Sequence, residues 1–138
     1  MTSSKKKGDS REKQVKKLLE LKGYLVLAAQ RTMKPIYTKN GVRYFSQAND
    51  FYGLFDGLYR DKNRKLVWYQ VKSDMSDVYK AKKAISEWVY DHANYICEEF
   101  EVWMYVKREG FKIYSYLPVN EDWKESFINF KGLIIDNR

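Results

Sequence analysis

Two apolar runs, residues 54–59 and 65–72, enclose the polar stretch Arg60-Asp61-Lys62-Asn63-Arg64. A chain punctuated in this way buries both runs most directly as an antiparallel β-hairpin. Within the first run Asp56 interrupts Leu54, Phe55, Gly57 and Leu58. A carboxylate on a core-facing strand costs on the order of several kcal/mol unless a cation or hydrogen-bond donors compensate it. Gly57 leaves room beside it for another group to approach the backbone. Any fold of this chain must therefore contain the hairpin and must find a partner for Asp56.

The remaining periodicity extends the hairpin into an α/β chain. Asp9 followed by Glu12 reads as a capping box, and Val15, Leu18 and Leu19 supply the apolar stripe of a first helix that ends near Gly23. Residues 24–29 form a short apolar run suited to a strand buried on both faces. Residues 32–49, with Pro35, Asn40 and Gly41 and no sustained period, read as a long loop with at most a small hairpin turning at Asn40 and Gly41. Ala81, Ala84, Ile85, Trp88, Val89, His92 and Ile96 recur at helical spacing, which predicts a long amphipathic helix with His92 packed into its apolar face. Strands are expected at 102–106 and 111–117 around Glu109 and Gly110, and a short helix at 123–130. The expected order is helix, three strands, helix, two strands. Residues 1–8 read as a basic disordered tail and 9–138 as one domain, since 138 residues suffice for a single core.

Composition narrows the function. Lys and Arg number 26 against 18 Asp and Glu, a formal charge of +8 that favours polyanionic partners, nucleic acid foremost. No stretch has the length of a membrane span and no apolar signal core follows the basic N-terminus, so the expectation is an intracellular, cytoplasmic protein with no membrane partner. With Cys97 and His92 the sole residues of their types, an internal disulfide is excluded and a Cys/His zinc cage is disfavoured. A metal would be held by oxygen ligands, which suits Mg²⁺ or Mn²⁺.

Several polar residues stand where stability alone would not place them. Glu12 is either a capping-box carboxylate or, lying before Val15 and Leu19 on the same stripe, a group facing the interior. The plain reading of Asp56 is a salt bridge to a lysine; the functional reading is a ligand site. Gln70 and Lys72 share one face of their strand, with Val71 turned to the other. Alone, Lys72 would be an ordinary solvated strand end.

Glu12 in the first helix, Asp56 in Leu-Phe-Asp-Gly-Leu and Gln70-Val71-Lys72 at the end of the next strand together resemble the pattern of the PD-(D/E)XK nuclease superfamily. Residues 49–56 also look like the corresponding stretch of archaeal and viral members related to Holliday-junction resolvases. The resemblance covers about half the chain, roughly residues 9–74. It implies a single restriction-endonuclease-like α/β domain, with a central mixed β-sheet flanked by helices around an α-β-β-β-α-β core. It further implies a metal-dependent DNA endonuclease in which Asp56, the Gln70 side chain and the Val71 carbonyl hold Mg²⁺ or Mn²⁺. Lys72 would orient or help deprotonate the attacking water, and Glu12 would hold a metal-bound water or a second ion.

Gln70 stands where the superfamily usually has a carboxylate, which removes one negative charge and weakens the hold on magnesium; Asp50 is a candidate to restore it. Phe55 stands where the motif's proline is usual. Arg31, Lys34, Ser73, Lys80, Lys82 and Lys83 are candidate phosphate contacts, each equally readable as solvated surface, and Ser73 as a strand end. Branched DNA and a homodimer are what the resemblance to resolvases implies. The rival expectations are a catalytically inactive nucleic-acid-binding protein of the same fold and a basic protein–protein adaptor using the aromatic surface of the last strands.

Overall fold

The computed structural model describes the backbone of residues 4–136, and the side chains within that span other than those of 4–9, 31, 46–48 and 136. Its elements in chain order are α1 (Ser4–Leu21), β1 (Leu25–Ala28), β2 (Arg31–Thr38), β3 (Gly41–Ala48), β4 (Gly57–Arg60), β5 (Leu66–Lys72), α2 (Met75–His92), β6 (Glu98–Val106), β7 (Gly110–Leu117), β8 (Asp122–Asn129) and β9 (Ile134–Asp136). Seven strands form one sheet in the order β1-β4-β5-β6-β7-β8-β9, and β2 and β3 pair separately. The sheet is mixed: β5 and β6 run parallel, joined by α2, and the other neighbours are antiparallel. This is a single α/β domain.

The two helices cover opposite faces of the sheet. On one face Val15, Leu18 and Leu19 of α1 pack with Tyr59, Val67, Tyr69, Trp103 and Phe111. On the other, Val78, Ala81, Ile85 and Val89 of α2 pack with Phe55, Phe100, Val102 and Tyr114. Alternation along β5 thus turns Tyr69 and Val71 towards α1 and Trp68 towards α2, as strand pleating requires. Gly23, with φ of 86°, lets the chain leave α1 through a left-handed residue, and the Tyr24 N–H returns to the Leu19 carbonyl at 3.2 Å.

The hairpin expected at 54–72 is present as β4 and β5, although β4 begins only at Gly57, so Asp56 immediately precedes the strand. The second helix and the β6–β7 pair also stand close to where periodicity puts them. Elsewhere the fold departs from expectation. The α1 backbone is already helical from Ser4, so Asp9 lies inside the helix instead of capping it; residues 1–3 of the expected basic tail lie outside the described span. β1 is an edge strand paired only with β4, and its Leu25 and Leu27 are 84% and 57% exposed, so it is not buried on both faces.

Residues 32–49 do turn as a hairpin near Asn40 and Gly41, but the rest is not loop: β2 and β3 pair along their full length as a ribbon turning through Lys39 and Asn40. Pro35 is tolerated because both strands of a two-stranded ribbon are edges. The stretch 123–130, read as a helix, falls almost wholly within β8, because β7 would otherwise leave a ladder of unpaired backbone groups. His92 is exposed at the end of α2 and leans on Trp88 with ring centres 5.1 Å apart, and Ile96 is 84% exposed beyond the helix.

Beneath α1, Glu101 on β6 accepts from the Tyr59 hydroxyl at 2.7 Å, the Trp103 indole at 2.9 Å and Ser115 at 3.4 Å. Desolvation pushes the Glu101 carboxyl above its ordinary value of 4.5, opposed by its Tyr59 and Trp103 donors. A carboxyl raised in the folded state contributes stability below about pH 4.5 that is lost as pH climbs through its folded value. Thermal melts of Glu101→Gln should therefore show a shallower loss of stability than the native chain as pH rises above about 4.5. Parallel curves would remove Glu101 as the source.

Candidate active site

Phe55 determines where the site forms. It is fully buried, with ring centres 5.4 Å from Trp68, 5.3 Å from Trp88 and 5.7 Å from Phe100. Burial of such a ring stabilises by about 1.5–3 kcal/mol. Its backbone closes a tight turn with Phe51, the Phe51 N–H donating to the Phe55 carbonyl at 2.8 Å and the Phe55 N–H returning at 3.0 Å. Tyr52 and Gly53 at the tip have φ of 56° and 66°. Tyr52 covers Trp68 and Trp88 from outside. Aromatic packing thereby fixes the chain one residue before Asp56.

Asp56 is held on both backbone sides, its N–H donating to the Tyr69 carbonyl at 2.8 Å and its carbonyl accepting from Ala29 at 2.8 Å. Its carboxylate accepts the Val71 N–H at 2.7 Å, taking the place of a backbone partner where β4 has not yet begun. The N–H and C=O of one strand residue point to the same edge, so the Val71 carbonyl faces this gap as well. Gly57 is required beside it: a Cβ there would overlap the Tyr69 ring, itself buried and unable to yield.

The surroundings are electrostatically strained. Desolvation raises the Asp56 carboxyl above its ordinary value, and the Asp50 charge raises it further; the Val71 N–H, Lys72 and a side-chain hydrogen bond with Glu12 pull the other way. Two carboxyl groups in hydrogen-bond contact share either a proton or a cation. Both line a cleft of about 270 Å³ with Lys13, Lys16, Ala28, Ala29 and Tyr69. Burial, and then the Asp56 and Glu12 charges, push the Tyr69 hydroxyl up, so it stays protonated as a donor.

Of the residues singled out in the sequence, the fold brings Glu12, Asp50 and Lys72 each within electrostatic reach of Asp56, with the Val71 N–H bonded to its carboxylate. Gln70 is set apart. It stands opposite Val102 on the α2 side of the sheet, 2% exposed, with no partner for its Nε2. Among the described residues no group of three or more His, Cys, Asp or Glu side chains stands ready to hold a metal ion.

The expected phosphate contacts also divide. Lys80 and Lys83 are exposed on α2, whereas Lys82 folds over Tyr114 and Trp123, 5.0 and 5.2 Å from the ring centres. Ser73 is bonded to Arg11, whose guanidinium stacks on Tyr105 at 4.2 Å. Lys34 stands exposed on the β2–β3 ribbon; the Arg31 side chain lies outside the described residues. Lys13, Lys16 and Tyr69 are cleft residues that the sequence reading missed. The one signal for Lys16 was its position a helical turn after Glu12 on α1.

No family model matches the chain, and neither the curated proteins nor the solved structures give a match.

Gly57→Ala should cost about 1–3 kcal/mol in denaturant unfolding, because the overlap falls on a packed ring. Asp56→Asn should instead raise stability by about 1 kcal/mol in metal-free buffer, since it removes a desolvated charge that Asp50 repels while retaining an acceptor for Val71. Equal midpoints for Asp56→Asn and the native chain would show that the carboxylate is not strained.

Proposed function

We propose that this protein is a metal-dependent endodeoxyribonuclease with a restriction-endonuclease-like arrangement of its sheet and helices. The observation that carries the reading is the Asp56 carboxylate, fastened to the Val71 N–H at the open end of β4, with Glu12 bonded to it and Lys72 within reach. Elements distant in sequence deliver an acid, a second acid and a cation to the place where β4 begins and β5 ends. That set suits phosphodiester hydrolysis, which needs a positioned water and positive charge where negative charge develops. The net charge of +8 supports a polyanionic substrate.

The donor set fits a hard divalent cation in chemistry, because it is made of oxygens and because the repelled Asp56 carboxyl would be relieved by positive charge. Asp56, Glu12 and the Val71 carbonyl would hold Mg²⁺, or Mn²⁺ in its place, with Asp50 as a further donor and the Gln70 amide left outside the set on the α2 side of the sheet; the ion would supply a Lewis acid for the phosphate. The chain's own groups do the rest. Lys72 orients the attacking water and offsets charge on the phosphate. Lys13 and Lys16 on the cleft wall, with Lys80 and Lys83 on α2, bind the backbone without reading its sequence. Symmetric incision of a branched duplex needs two such sites, so a homodimer acting on branched DNA belongs to the proposal.

A second reading is favoured by the lack of a ready three-ligand group among the described residues and by the buried, unpartnered Gln70 amide. In it the same fold binds nucleic acid without cutting.

Incubation of the pure protein with labelled four-way junction, flap, single-stranded and duplex DNA, with Mg²⁺, Mn²⁺ or chelator, separates the two. The nuclease reading expects products only with metal and a loss on the order of a thousandfold in rate for Asp56→Ala or Lys72→Ala. Binding without products under every metal condition would transfer support to the second reading. Undiminished cutting by Asp56→Ala would place the chemistry elsewhere.

A further inference from the structure

The ribbon formed by β2 and β3 has no role in the site just described. Its strands pack on each other and, among the described residues, share no substantial packing with another element. Directly opposed residues lie on one face, and the register Pro35↔Tyr44 and Tyr37↔Val42 therefore gathers Met33, Pro35, Tyr37, Val42 and Tyr44 on a single side. Met33, Tyr37, Val42 and Tyr44 are 60%, 79%, 47% and 66% exposed. Lys34 and Arg43 project from the other face between Phe45 and Ile36, which are 40% and 48% exposed, and Lys39 sits at the tip. A two-stranded ribbon is marginal in water by itself, so an apolar side of this kind calls for a cover.

Charge indicates what covers it. Residues 31–48 contain Arg31, Lys34, Lys39 and Arg43 and no Asp or Glu. Such a segment is drawn to a polyanion and repelled from a second copy of itself. Exposed tyrosines then offer flat, rigid surfaces on which bases stack without regard to sequence. Bases within a duplex are already stacked on their neighbours, so only unpaired or splayed bases can use that surface. The ribbon's root joins the site: the Asn49 N–H donates to the Gln30 carbonyl, Asn49 also bonds Thr32, and Ala29, which lines the cleft, is bonded to Asp56. Strands of eight residues extend about 26 Å at ~3.3 Å per residue.

We propose that the β2–β3 ribbon is a nucleic-acid-binding arm that enters where pairing is open. It takes unpaired bases onto Tyr37 and Tyr44 while Lys34, Lys39 and Arg43 bind the phosphates of the flanking strand. This deepens the reading of the site, resting on its nucleic-acid substrate but not on its cutting, and it makes DNA with unpaired bases at a branch or fork the preferred ligand.

The test is fluorescence anisotropy in chelator, with labelled single-stranded, forked and blunt duplex DNA over a range of salt. The native chain should bind the fork more tightly than the blunt duplex. Tyr37→Ser combined with Tyr44→Ser should lower that preference about tenfold or more while leaving blunt-duplex affinity nearly unchanged. Lys34→Glu combined with Arg43→Glu should weaken binding to every DNA and flatten its salt dependence. A tyrosine double variant with native fork preference, or a native chain with no such preference, overturns the arm. So does a tyrosine variant that loses self-association in sedimentation while its DNA preference stays intact, since the ribbon would then cover a second copy. Failure of the native chain to cut with Mg²⁺ or Mn²⁺ would remove the nuclease reading and leave these binding outcomes standing.

Discussion

Asp56 stands where β4 would need one more residue to continue the ladder, and its carboxylate takes the Val71 N–H that the missing residue would have taken. The proposed active site depends on that substitution of side chain for backbone. It leaves a gap where β4 begins beside β5, directs the Val71 carbonyl into the gap, and commits a charged group to a desolvated position. The position is held from behind by Phe55 and its aromatic neighbours, so the strain on Asp56 is paid for by packing that Asp56 itself does not share.

Strain of this kind separates a site from a structural ion pair. Glu101 is also a desolvated carboxyl, but it is met by the Tyr59, Trp103 and Ser115 donors and has no visible function beyond joining strands. Asp56 has a single backbone donor, an acidic neighbour in Glu12 and a repelling Asp50, with Lys72 as partial compensation. Such an arrangement is costly when empty and relieved by a cation, a state that selection for stability alone would not favour.

The parts of the fold legible in the sequence are those where burial follows a simple period. The β5 strand, α2 and the β6–β7 pair are of this sort, each with apolar residues recurring against a single core face. The β2–β3 ribbon was legible only at its turn, by Asn40 and Gly41, because its strands bury nothing against the domain: its apolar side is exposed, and Pro35 with the scattered cations reads as loop. β8 misled for the opposite reason, since Lys124 and Glu125 favour helix locally while the edge of β7 demands a strand. At the site, Asp56 was visible as a polar residue in apolar surroundings, whereas Glu12 and Lys72 drew attention only through the spacing they share with it. Lys13, Lys16 and Tyr69 were not, because they belong to the cleft only once α1 lies across β5. Gln70 was read from its spacing to Lys72, and spacing alone does not reveal that its amide is enclosed beside Val102.

The central claim is that Asp56 and its neighbours form a site for a divalent cation, and it can be tested without any substrate. Titration of the protein with Mn²⁺, followed by the loss of the free-ion electron paramagnetic resonance signal, measures binding directly. Saturable binding by the native chain that disappears in Asp56→Ala, with the fold intact by circular dichroism, is the result expected. Equal Mn²⁺ uptake by both proteins, or none by either, would contradict it.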